Sequence, residues 1–367
     1  MLIAIEAERA NIDNPTGVEH YAKQLILALA EIDRENKYIL YLRTAPKSWI
    51  FNLPKNFEHK VMPFPVAWTQ LRLSWEILWH RPDALFIPAS ALPLIHPKNS
   101  VVTVHDLGWT RFPETFGKWQ LFTLKLFTWF ARKFSSRIIA IAEQTKKDLI
   151  EMYDLPAQKI TVVYHGFDIE NENIKSDPIE QNKLNALPQK FILYLGTLQP
   201  RKNPQGLIDA FVDLKINHNI SDYSLVIAGG KGWLYQEILD KIEKYKKHGI
   251  IYFGYVQDRL ALLKKAAMLV HPSFFEGWGL QIFDAFAMDV PVASSNAPAL
   301  PEVGGDAVEY FDPNNKEQIG QAILKIINDQ NLRRQLISRG SERIKQFTWK
   351  KCAEQTLNVI KSGQRQK

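Results

Sequence analysis

Glu276 and Asp284 stand eight residues apart in the stretch HPSFFEGWGLQIFDAFAMDVPVASS, 271–295. The stretch reads as a short buried strand ending near Pro272, a loop carrying Glu276 and Gly277, a helix from about Gly279 to Met288, and a second strand, PVAS. In that arrangement Asp284 falls in the second turn of the helix, near the mouth where the loop carries Glu276. Ionised carboxylates only accept hydrogen bonds, so two of them at one mouth suit a ligand rich in hydroxyl groups, such as a sugar or a ribose. Gly277 and Gly279 would let backbone N–H groups approach the same ligand. A plainer alternative stays open on spacing alone: an acid at a helix start and a solvated helix face, both favoured by the helix dipole.

Two further clusters carry chemistry. In FILYLGTLQPRKN, a strand delivers Gly196 and then the cations Arg201 and Lys202, which read as a phosphate site or as two solvated surface charges. In VVTVHDL, His105 and Asp106 fall at a strand end, where a histidine is either functional or simply structural. Gly17 follows the first strand at a predicted helix start, with Thr16 and Glu19 in capping-box spacing, and serves either a phosphate or only the turn.

The elements that must position these residues follow from the hydrophobic pattern. Strands are predicted at LIAIEA, Tyr38 to Leu42, Ala84 to Pro88, Val101 to His105, Arg137 to Ala142 and Lys159 to Tyr164, with helical stretches between several of them. After a polar stretch from Ile169 to Gln189 containing Pro178 and Pro188, strands recur at FILYLGT, SLVIAGG, IIYFGY and MLVHPS. Such alternation predicts α/β architecture with largely parallel sheets. The expected division is 1–168, a linker at 169–189, a second domain at 190–345 and a terminal helix at 346–367.

At 367 residues the chain exceeds one ordinary core and suits two domains; 46% apolar and 23% charged residues are ordinary for a globular protein. The net charge of +7 fits an anionic partner without choosing among nucleotides, phospholipid surfaces and nucleic acid. A single cysteine, Cys352, leaves no internal disulfide and points to a reducing compartment. The opening MLIAIEAER meets an acid at Glu6 too soon for a signal peptide, and no apolar run approaches the ~20 residues of a membrane span, so a cytoplasmic location is expected. The glycines 229, 230 and 232 lack the order of a dinucleotide fingerprint, and no G-x-S-x-G string occurs, which argues against a nicotinamide-dependent dehydrogenase and a serine hydrolase. No Asp-x-Asp pair or His/Cys ligand spacing suggests a metal.

The segment 273–292 resembles the donor-site signature of the family 4 (group 1) glycosyltransferases, a Glu, seven residues, then Glu within a pattern like PSxxEGFGLPxxEAxAxGxPV. Glu276, Gly277, Gly279, Leu280, Ala285, Ala287, Pro291 and Val292 match it; Asp284, Gln281 and Asp289 depart from the usual Glu, Pro and Gly. GTLQPRKN and the VHDL and RFPE segments, with Arg111 to Glu114, extend the resemblance over nearly the whole chain. It implies a GT-B fold, two Rossmann-like domains facing across a cleft, with the second domain holding a nucleotide sugar and the first presenting the acceptor. It further implies a retaining, metal-free transfer in which the departing phosphate takes the acceptor proton, with no cofactor and no nucleic-acid partner. By residue, it implies catalytic roles for His105, Glu276, Arg201 and Lys202. Donor contacts are implied for Gly17, Gly196, Thr197, Arg201, Lys202, Glu276, Gly277, Trp278, Gly279, Leu280 and Asp284, and acceptor-side contacts for His105 and Asp106. The pattern is most similar to bacterial mannosyltransferases of surface polysaccharides, which favours GDP-mannose as donor and a glycan or lipid-linked acceptor. A non-catalytic nucleotide-sugar or membrane-surface module is the alternative.

From Lys118 to Arg137 the chain carries five basic residues and no acid, interleaved with Trp119, Phe122, Phe127, Trp129, Phe130 and Phe134. Either an amphipathic helix buries these rings against its sheet, or the segment meets an anionic membrane surface peripherally.

Overall fold

The computed structural model describes residues 1–13, 17–168, 177–218 and 220–363. The chain divides into two compact units, 1–166 with 347–367, and 167–346.

Among the described residues, the first unit has a seven-stranded parallel sheet built from β1 (Leu2–Glu6), β2 (Lys37–Leu42), β3 (Phe57–Val61), β4 (Ala84–Ile87), β5 (Ser100–Val104), β6 (Arg137–Ala140) and β7 (Ile160–Val162). Its order is β3-β2-β1-β4-β5-β6-β7. The central strands are apolar runs buried on both faces, as expected where helices cover a parallel sheet. β3 was not legible in the sequence, because its residues FEHKV carry three polar side chains in five on the sheet's outer edge. The helix Gly17–Ile32 buries Tyr21, Ala22, Leu25, Ile26 and Leu29 at helical spacing. The C-terminal helix Trp349–Ser362 joins the same core through Cys352, Ala353, Leu357 and Ile360. The Thr348 hydroxyl starts it by accepting from the Lys351 amide at 3.2 Å. Thr16, read as half of a capping box with Glu19, lies outside the described residues.

Among the described residues, the second unit has a six-stranded parallel sheet of β8 (Phe191–Leu195), β9 (Ser224–Ala228), β10 (Ile250–Gly254), β11 (Met268–His271), β12 (Val292–Ser295) and β13 (Val308–Phe311), in the order β10-β9-β8-β11-β12-β13. β13, with the half-polar sequence VEYF, was also missed as a strand. The stretch expected to be a linker needs correction. Residues 169–176 lie outside the described residues, but Pro178–Asn185 is a helix capped by Asp177 and part of the second unit. The Glu180 carboxylate fastens it by accepting from the Gln257 and Asp258 amides at 3.0 to 3.1 Å, and Leu184 is buried. Its low amphipathicity concealed it.

Each strand order reverses once, between β1 and β4 in the first sheet and between β8 and β11 in the second. At such a reversal the loops leaving neighbouring strands diverge to opposite faces and open a crevice at the carboxyl edge, the usual ligand position in open α/β sheets.

Candidate donor and acceptor sites

The loops after β8 and β11 carry the basic pair and Glu276, so the reversal of the second sheet brings together residues 74 positions apart. After β8, Gly196 sits against the end of β9: a Cβ on Gly229, whose φ is +146°, would meet the Gly196 carbonyl oxygen at 1.9 Å. The chain then makes a tight turn over Pro200–Lys202 and enters the helix Pro204–Asn217 through Asn203, whose side chain accepts from the Gly206 amide at 3.1 Å. The turn is tied to the loop after β11 by the Phe274 amide, which donates to the Arg201 carbonyl at 2.9 Å, and by the Arg201 guanidinium, which donates to the Phe275 carbonyl.

Glu276 lies inside this cradle, 7% exposed. Its Oε1 accepts from Lys202 Nζ at 2.7 Å and from the Ser273 hydroxyl at 2.7 Å, with His271 Nε2 at 3.3 Å. Its Oε2 has Arg201 at 3.6 Å, an ion-pair distance longer than a hydrogen bond. Burial would raise the Glu276 pKa, but Lys202, the His271 hydrogen bond and Arg201 together hold it well below the usual carboxylate range. Two cations thus share one carboxylate, whose hydrogen bonds fall on Oε1. Sequence reasoning missed His271 and Ser273; their position at the end of a buried strand three to five residues before Glu276 was the available signal.

Beyond Glu276, Gly277 is half-exposed, and Gly279 adopts φ +102°, where an added Cβ would meet Leu300 at 2.7 Å. That turn aims the helix Leu280–Ala287 away from the loop. Trp278 is 4% exposed with its ring edge-on to Phe283 at 6.0 Å, so it packs beneath the loop rather than lining an open surface. Leu280 opens the helix half-buried, while Thr197 is exposed. Asp284, read as a second free acceptor, is 2% exposed and already accepts from Arg259 Nε at 2.8 Å through Oδ2. Its Oδ1 is buried without a hydrogen-bond partner among the described residues.

In the first unit, His105 follows β5, and its Nε2 lies 2.8 Å from the Pro88 carbonyl at the end of β4. A carbonyl can only accept, so Nε2 carries the proton and the neutral ring offers Nδ1 as an acceptor. Burial pulls the His105 pKa below 6.5, against the opposing pull of Pro88 and Asp106. The ring stands edge-on to Tyr21 at 4.9 Å and to His165 at 5.6 Å, and Tyr21 stacks on His165 at 4.7 Å. The Tyr21 hydroxyl lies 3.3 Å from the Thr103 hydroxyl. Tyr21 and His165 were not singled out in the sequence, since nothing local marks two residues that meet only in the fold. Asp106 accepts from the Gly108 amide at 2.9 Å, just before the short helix Gly108–Arg111, and Gly17 is an exposed first residue of its helix.

The family described as Glycosyl transferases group 1 matches residues 176–343, and Glycosyltransferase Family 4 matches residues 15–171. The chain is 31% identical over 307 residues to O-antigen chain mannosyltransferase B of Escherichia coli, covering 80% of this chain and 76% of that protein. It is 26% identical over 240 residues to O-antigen chain mannosyltransferase RfbU of Salmonella typhimurium, covering 64% and 62%. Among solved structures, WaaG, a glycosyltransferase involved in lipopolysaccharide biosynthesis, aligns with a TM-score of 0.71 at 15% identity over 98% of this chain and 99% of that one. Anabaena HepE, solved with UDP and glucose, aligns at 0.69 and 18% over 98% and 99%. These likenesses identify the fold as GT-B.

Proposed function

The chain belongs to the group 1, family 4 glycosyltransferases, and on that premise we propose that it moves mannose from GDP-mannose, with retention, onto a glycan or lipid-linked acceptor of a surface polysaccharide at the cytoplasmic side of a membrane. The mannosyl reading rests on relatives named as O-antigen mannosyltransferases. The observation that carries the chemistry is the cluster at the β8/β11 reversal: Arg201 and Lys202 against the single carboxylate of Glu276, an excess of positive charge in a largely dry cradle. A diphosphate is the group such a cradle suits, and the amide groups opening the helix Leu280–Ala287 add partial positive charge beside it.

In the proposed reaction the bond between the anomeric carbon and the diphosphate oxygen breaks while the acceptor oxygen bonds to that carbon on the same face. The departing phosphate oxygen takes the acceptor's proton. Arg201, Lys202 and the helix amides stabilise the charge that grows on the diphosphate, so no metal enters the scheme. Glu276 Oε2 orients a sugar hydroxyl, while Asp284, buried and held through Oδ2 by Arg259, supports the helix behind the loop rather than meeting the donor. His105 offers Nδ1 to a hydroxyl of the sugar or acceptor.

Nucleotide release measured across GDP-, UDP-, ADP- and dTDP-sugars, with a soluble mannoside acceptor and excess EDTA, tests this reading. GDP-mannose is expected to be turned over with the chelator present. Turnover of another donor alone would overturn the mannosyl assignment, and chelator inhibition reversed by magnesium or manganese would overturn the metal-free scheme.

A further inference from the structure

The helix Lys118–Phe134 runs for 17 residues along the first unit, yet only Thr128 and Ala131 are buried. Leu121, Leu124 and Phe130 are partly buried against the sheet core. On the outer side Trp119, Phe122, Leu126 and Trp129 follow one another at steps of three and four residues, a second apolar stripe with Trp119 76% exposed and Phe122 54% exposed. Lys118, Lys125 and Arg132 recur every seven residues along one flank of that stripe, and Lys133 lies over the Trp129 ring at 5.3 Å. No acid occurs between Glu114 and Glu143.

The patch continues past the helix. The His96 ring packs on Phe130 and Phe134 at 6.2 and 6.4 Å, and the neighbouring Ile95 amide donates to the Ser74 hydroxyl at 3.2 Å. Leu94 beside them is exposed, as are Trp75 and Trp79 on the helix Ser74–Trp79. At the other end Trp129, Arg132, Lys133, Leu155 and Lys159 line a recess of about 450 Å³, whose acid is Asp154. Lys159 donates to the Arg132 carbonyl, and burial together with Arg132 and Arg137 pulls its pKa down. An anion seated in the recess would relieve that crowding of positive charge.

Exposed aromatic rings flanked by cations, on a helix that carries no acid, match the chemistry of a bilayer interface, where rings settle at headgroup level and each cation near anionic lipid contributes about 1 kcal/mol. We propose that this face docks the enzyme on a membrane containing anionic phospholipid, with Trp119, Phe122 and Trp129 entering the interface and a lipid phosphate lying in the Arg132–Lys133–Lys159 recess. No helix among the described residues is long and apolar enough to cross a membrane, so the attachment is to the surface. Docking deepens the lipid-linked acceptor reading, but its test needs no turnover and therefore stands or falls apart from the identity of the donor.

The test is co-sedimentation of the full chain with phosphatidylcholine vesicles with and without phosphatidylglycerol. Binding is expected only with the anionic lipid and to fall with added salt. Lys118→Ser, Lys125→Ser and Lys133→Ser, all at exposed positions, should each lower partition about fivefold. Trp119→Ser with Phe122→Ser should weaken binding while leaving the melting temperature unchanged. Equal binding to both vesicle types, no binding to either, or unchanged binding of these variants would overturn the proposal. A lipid-independent dimer abolished by the Trp119→Ser, Phe122→Ser variant would also overturn it, by assigning the face to a second copy of the chain.

Discussion

Two buried glutamates at the carboxyl edges of the two sheets meet opposite fates. Glu276, just beyond β11, is held ionised by Lys202, His271 and Arg201. Glu6, the last residue of β1 and 5% exposed, is pushed by burial from the ordinary 4.5 to about 7, only partly opposed by Arg9 and the amides of Glu8 and Arg9. At the same edge of the first sheet, His105 and His165 both have lowered pKa values, chiefly from burial. Burial is common to both edges, so partners decide the outcome. The second edge is organised around fixed charge, which suits a diphosphate; the first is organised around groups near neutrality, which suits hydroxyl chemistry.

The largest test of this contrast is Glu276→Ala. It leaves Lys202 buried beside Arg201 with no carboxylate, which should cost about 3–5 kcal/mol of stability and abolish most transfer. Adding Lys202→Met should restore much of the stability in denaturant titrations but none of the transfer. Wild-type turnover by either folded variant would remove the sugar-orienting role from Glu276. Because its folded pKa is depressed, the stabilisation from Glu276 is present above the unfolded value and is lost as pH falls through the folded one.

Glu6 should show the reverse slope. Between 4.5 and about 7 the folded chain keeps a proton that the unfolded chain has released, so stability falls as pH rises, by on the order of 3 kcal/mol in all. Glu6→Gln removes that slope. Urea titrations at ~pH 5 and ~pH 8 should show the variant gaining on the wild type only at the higher pH; parallel curves would show that burial does not raise the Glu6 pKa above its unfolded value.

The smallest effect belongs to Arg201→Ala, expected to weaken nucleoside diphosphate binding by about 1–3 kcal/mol while the bare nucleoside is bound as before. Calorimetry giving equal losses for both would remove Arg201 from the phosphate site and weaken the view of the second edge as a charge cradle.

Much of this was legible in the chain itself. Alternating apolar runs and helical spacings give two parallel α/β units, because those periodicities record which faces are buried. The EGWG loop, the PRKN turn and the VHDL strand end were readable because each is local, a glycine or charge placed at the end of an apolar strand. What periodicity does not carry is partnership at a distance. Lys202 and Glu276 were read separately as phosphate and sugar ligands, yet they form one buried pair across 74 residues. Asp284 looked free until Arg259 was found on it, 25 residues away.

The helix Lys118–Phe134 marks the boundary most clearly. Its composition determined that it would be basic, aromatic and helical, but burial and exposure of the rings were equally compatible with that pattern. Only the packing decided that one stripe, with Leu121 and Leu124, meets the core while another, with Trp119 and Phe122, faces solvent. The physical reason is that a helix with apolar residues on two sides has no preferred inner face of its own. The neighbour that covers one of them makes the choice.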